Sequence, residues 1–122
     1  MIECKFGEII AAKPAIEKLM TKQLSIKTLI NLNKLIERFN TELKIIDIEK
    51  NKILTKYSEQ SEQSDSNPLG IKEENIQQFQ KEMNELLEVG VTIAEIDKLN
   101  LKDIEDIKLN YEEYLQLKPF LE

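Results

Sequence analysis

The chain has no histidine, no tryptophan, one cysteine (Cys4) and one arginine (Arg38) in 122 residues. Without histidine, zinc sites and His-based triads are excluded, and Cys4 lacks the usual partner of a thiolate nucleophile. A lone cysteine cannot form an internal disulfide, and no secretory signal precedes the first expected helix. Both point to a reducing cytosol. Three glycines leave no GxxxxGKS and no GxGxxG, so no phosphate loop is recognisable. No apolar run approaches the roughly 18–20 residues that a membrane span needs.

What remains is charge and aliphatic residues, 33% and 41% apolar overall. The net charge of −6 hides an asymmetry: residues 1–57 carry eleven Lys/Arg against seven Asp/Glu, and residues 58–122 carry six against sixteen. The two halves should attract each other, or the opposite half of a second copy. The acidic total argues against direct nucleic-acid binding, which draws on Lys/Arg contacts to phosphates.

The chain is organised around Ser25–Tyr57. Leu29, Leu32, Ile36, Phe39, Leu43, Ile46, Ile53 and Tyr57 recur at spacings of three and four, a heptad stripe interrupted by the polar Lys50. A helix of that length runs roughly 45–50 Å, longer than a compact domain of this size is wide. The stripe is therefore expected to serve self-association as a homo-oligomer. Ile26, Ile30, Leu35, Ile45 and Ile48 sit beside it and widen it, so the helix is expected to meet partners on more than one side. Lys50 either specifies register or snorkels its ammonium to solvent.

The flanks read as smaller elements. Met1–Phe6 alternates weakly, with Gly7 as a cap, and Ile9 to Met20 suggests a helix over Glu8–Lys22. Pro14 falls inside it and is expected to break it near Lys13. Ser25 suits the N-cap of the long helix. Ser58–Pro68 has no apolar residue and reads as a flexible polar loop, ended by a turn at Pro68 and Gly70. Lys72–Leu87 is a second helix, able to lie antiparallel to the first on Ile76, Phe79, Met83, Leu86 and Leu87. Val89, Val91 and Ile93 then alternate as a strand whose obvious partner is Met1–Phe6. Residues 95–110 read as irregular, with one helical turn over Lys102–Ile107. Asn110 with Glu113 makes a capping-box variant that starts a last helix, Tyr111–Leu117. Pro119 ends it, and Phe120 and Leu121 are apolar enough to dock. The expected fold is one mostly α domain over residues 1–122. Its long central helix lies in an antiparallel hairpin with short flanking helices, with at most a minor two-stranded β element (1–6 with 89–94).

Four stretches carry a resemblance: Gly7-Glu8-Ile9-Ile10-Ala11-Ala12, Ile53-Leu54-Thr55-Lys56-Tyr57, Phe79-Gln80-Lys81-Glu82-Met83-Asn84-Glu85-Leu86-Leu87 and Leu117-Lys118-Pro119-Phe120-Leu121. Together they resemble a family of short proteins of unknown function encoded by phages and prophages of low-GC Gram-positive bacteria. Members often carry a Gly-containing acidic turn after the tyrosine, where Ser58–Asn67 is a Ser/Gln stretch here. The resemblance implies a phage origin and action inside an infected cell, and it brings no catalytic residue.

Candidate chemistry is thin. Asp65-Ser-Asn67-Pro-Leu-Gly70 matches positions 1, 3 and 6 of a calcium loop, but Leu69 and Ile76 stand where oxygen ligands are required. Glu95, Asp97, Asp103, Glu105 and Asp106 could hold Mg²⁺ or act as an acid/base pair if buried; a solvated acidic face, open to a partner, is the expected reading. Tyr57, Tyr111 and Tyr114 at helical spacings suggest core or interface packing. No catalytic residue, metal or cofactor is expected. The sequence thus points to an interaction protein that binds a host or phage protein, most sharply an inhibitor of a host defence system. The alternatives are a virion tail assembly chaperone and an oligomeric nucleotide-sequestering protein in which Arg38 and the N-terminal lysines hold phosphates.

Overall fold

A computed structural model of the chain describes residues 1–58 and 73–122. In chain order they form β1 (Ile2–Lys5), α1 (Phe6–Met20), α2 (Ile26–Ser58), α3 (Glu73–Leu87), β2 (Gly90–Ile93), α4 (Leu101–Ile104) and α5 (Tyr111–Leu117), closed by a 3₁₀ turn at Lys118–Phe120. Apart from Ser58, the last residue of α2, the expected polar loop lies outside the described residues. So do its closing turn and the Asp65–Gly70 series. Among the described residues no helix is long and apolar enough to cross a membrane.

α2 carries the fold. Ser25 caps it: its Oγ accepts from the Thr28 N–H at 3.2 Å and its carbonyl from the Leu29 N–H at 3.0 Å. Over 33 residues it runs about 50 Å. α1 packs along it and also touches α3 and α5. α3 returns beside the far end of α2 to make the hairpin, where Tyr57 meets Phe79 edge to face at 5.9 Å and Lys56 reaches Glu82 at 2.8 Å. At the middle of α2, Phe39 meets Phe120 edge to face at 5.0 Å, which docks the C-terminal turn into the core.

The small sheet forms as the alternation implied. β1 and β2 pair antiparallel, Ile2 opposite Ile93 and Cys4 opposite Val91. These four side chains share the buried face, while Glu3, Lys5 and Thr92 point to solvent. The last residues add an isolated parallel bridge, Leu99 beside Leu121, with the Leu99 N–H donating to the Phe120 carbonyl at 2.8 Å. Nothing in the local pattern of either segment announces that contact.

Two expectations about α1 need correction. It does not break at Lys13 but runs through Pro14. Ala12, Ala15, Ile16 and Leu19 are buried on one side, while Pro14 and Ile10 are exposed on the other. The Ile10 carbonyl, which loses its partner to the proline, therefore faces water, which can satisfy it. Gly7 is no cap either. The helix starts at Phe6, two residues before the expected Glu8, with the Lys5 N–H donating to the Glu8 carboxylate at 2.9 Å. A Cβ on Gly7 would lie 3.3 Å from the Leu87 carbonyl oxygen, so its role is the close approach of α1 to the end of α3. Further on, the helical turn expected over Lys102–Ile107 forms at Leu101–Ile104. There the Asn100 Oδ1 accepts from the Lys102 N–H at 3.0 Å.

Candidate protein-interaction surface

The eight-residue stripe of α2 is consumed by the chain's own core. Leu32, Phe39 and Ile46 are at most 1% exposed, Tyr57 is buried, and Leu29, Ile36, Leu43 and Ile53 are half-buried against the same cluster. A second copy has no access to Leu32, Phe39 or Ile46 in this packing. Lys50, the polar member of the series, is half-buried. Of the residues beside the stripe, Leu35 is fully buried, whereas Ile26, Ile30, Ile45 and Ile48 are 44–76% exposed. At 100° per residue these four lie across the axis from Phe39, so α2 has two apolar faces, one inside and one in water.

A second solvent-facing apolar group sits on α5. Tyr111, Tyr114 and Leu115 occupy adjoining positions of one face and are 75%, 39% and 45% exposed. The opposite face is fixed to the body. Leu117 is buried in the core. Glu113 is held at 2.8 Å by the Lys18 ammonium of α1. Asn110 closes the capping box, its Oδ1 accepting from the Glu113 N–H at 2.7 Å. The Lys18 ammonium, helped by the Asn110 N–H, holds the Glu113 carboxyl below its usual range. The short helix is thus a rigid mount for two exposed tyrosines, the residue type most favoured at interface centres.

The five acids singled out from the sequence do not form one uniform patch. Glu95 is ion-paired with Arg38, and its own backbone N–H together with that guanidinium lowers its pKa. Asp97 and Asp103 line a cleft of about 980 Å³ beside the start of α2, together with Lys27, Lys34 and Lys98. Glu105 and Asp106 are exposed after α4, leading toward the α5 tyrosines. Among the described residues no group of three or more Cys, Asp or Glu side chains is placed to hold a metal ion.

Arg38 is occupied structurally. Its Nε donates to Glu42 at 2.9 Å, and its terminal nitrogens donate to Glu95 and to the Thr92 carbonyl, tying α2 to β2 and the segment after it. Cys4 is buried beneath the sheet. Burial, helped by Glu8 and Glu42, pushes its thiol up to about 11. Tyr57 lies in the hairpin against Phe79, while Tyr111 and Tyr114 are exposed on α5.

The exposed faces were within reach of a helical wheel. Drawn for α2, it separates Ile26, Ile30, Ile45 and Ile48 from the main stripe. Drawn for Tyr111–Leu117, it puts Tyr111, Tyr114 and Leu115 on adjoining positions and Glu113 across the axis. No family model matches the chain, and no curated protein and no solved structure matches it either.

Proposed function

We propose that the chain is a non-enzymatic interaction protein of phage or prophage origin that binds a basic surface of one host or phage protein. Its sharpest form is an inhibitor of a host defence system; a chaperone of tail assembly uses the same surface. The observation that supports this reading is the α5 face, with Tyr111 and Tyr114 exposed on a helix pinned by Lys18, Asn110 and Leu117. Interface hot spots favour tyrosines held in place before binding, because little side-chain entropy is then lost. Acidic neighbours in sequence (Glu105, Asp106 and Glu112) select a partner of opposite charge and speed its approach.

The test is a pull-down of tagged protein from infected host cells, read by mass spectrometry beside the native mass. One stoichiometric partner is expected with the wild type, lost with Tyr111→Asp/Tyr114→Asp. The identity of that partner separates defence inhibitor from assembly chaperone. A partner retained by the double variant removes α5 from the interface, and no partner at all removes the reading.

A second reading, nucleotide sequestration, draws on the cleft that contains Lys27, Lys34 and Lys98. It does not draw on Arg38, which is already paired with Glu42 and Glu95. A nucleotide released from the purified protein on denaturation, together with a rise in Tm on adding it back, would favour this reading.

A further inference from the structure

The outward face of α2 bears a symmetric pattern. Ile30 and Ile48 stand nine residues before and nine after Phe39, which at 3.6 residues per turn places both directly opposite that buried ring. Ile26 and Ile45 flank them on the same side, and all four are exposed. Their positions are also close to palindromic. Reversing the helix about the midpoint between Glu37 and Arg38 lays Ile30 on Ile45 and sets Ile26 within one residue of Ile48.

From this we propose that α2 pairs antiparallel with α2 of a second copy about a two-fold axis near Glu37. A self-complementary patch of this kind is what a two-fold interface requires, each residue meeting one that meets it in return. Charge selects the direction. The same side of the helix carries Lys27, Lys34, Lys44 and Lys52 against Glu37 and Glu49. A parallel pair sets each lysine against its own copy. The antiparallel pair brings Lys27 within one residue of Glu49 of the second copy at both ends.

The face from Ile26 to Ile48 is about 33 Å long and one helix wide, smaller than the interfaces of tight complexes, so association in the micromolar range is expected. The main stripe of α2 keeps its place in the core. The pairing uses a different surface from the α5 face, so it stands or falls independently of the proposed partner.

Sedimentation and oxidative cross-linking test it. The wild type should sediment as a concentration-dependent dimer and, with Cys4 buried, should not cross-link. Glu37→Cys, next to the axis, should cross-link to its own copy. Thr55→Cys should not, because its copies lie about 50 Å apart in the antiparallel register. Ile30→Asp should weaken dimerisation by about tenfold or more with helix content unchanged, because the side chain is already half in water. Ile26→Lys is the milder second variant. A monomer at about 500 µM overturns the proposal. So does a Thr55→Cys cross-link as efficient as that of Glu37→Cys, which means parallel pairing. A dimer unmoved by both Ile30→Asp and Ile26→Lys also overturns it.

Discussion

Arg38 shows how much one side chain can hold when it is the only one of its kind. Its guanidinium satisfies Glu42, which is 8% exposed, and reaches across to Glu95 and the Thr92 carbonyl. Removing it leaves a carboxylate in a mostly dry site. Arg38→Leu should cost about 1–3 kcal/mol in urea unfolding. The Arg38→Leu/Glu42→Leu pair should cost less than the two single changes added, because no charge is then left unpaired. Additive costs would mean that the two side chains do not interact. Cys4 gives a second check at this scale. A thiol buried and raised to about 11 is protonated near neutral pH. It should react with a disulfide reagent at pH 8 far more slowly in native protein than in urea, and equal rates would place it at the surface.

At the scale of elements, α1 and α5 depend on how their ends and faces are met. Pro14 leaves the Ile10 carbonyl without its helical partner on the exposed side of α1. Pro14→Ala restores that bond but gives the unfolded chain more freedom. The first effect is the larger, and a net gain of about 2 kcal/mol is expected from thermal or urea unfolding. Gly7→Leu should do the opposite, losing about 1–3 kcal/mol, because α1 lies against the Leu87 backbone. The α5 mount has a pH signature. Folding lowers the Glu113 pKa from an ordinary value of 4.5, so its contribution is present above that value. As pH falls from 4.5 through the folded value, the contribution is lost. Glu113→Gln should therefore lower Tm near neutral pH, and the gap should narrow as pH falls below 4.5. A gap that persists at low pH would show that the carboxylate charge is not what matters.

For the whole molecule, the two faces of α2 separate folding from association. Ile46 is 1% exposed and Ile48, two residues on, is 56% exposed. Ile46→Asp buries a charge without a partner and should unfold the chain, read by circular dichroism. Ile48→Asp should leave helix content and Tm almost unchanged. If both variants stay folded, the core does not close on this side of the helix. The charge asymmetry between the chain's halves is in part spent internally. Lys5–Glu88, Lys18–Glu113, Arg38–Glu95 and Lys56–Glu82 each join a base of the first half to an acid of the second. These are mostly surface pairs, and they add orientation more than stability.

Local signals in the sequence determined most of the elements. The three-and-four spacing of α2, its Ser25 cap, the Asn110–Glu113 box and the alternation in Met1–Phe6 and Val89–Ile93 depend only on near neighbours. Each appears where those neighbours put it. The docking of Phe120 and Leu121 was legible as well, from apolarity at a helix end. The tertiary structure alone decided which apolar face of α2 turns inward. Both faces have helical periodicity, and only the fit of α1, α3 and Phe120 around Phe39 distinguishes them. Contacts far apart in sequence likewise settled which side of α1 carries Pro14 and that Gly7 serves Leu87. In each case the deciding atom belongs to a segment tens of residues away, which no local pattern can encode.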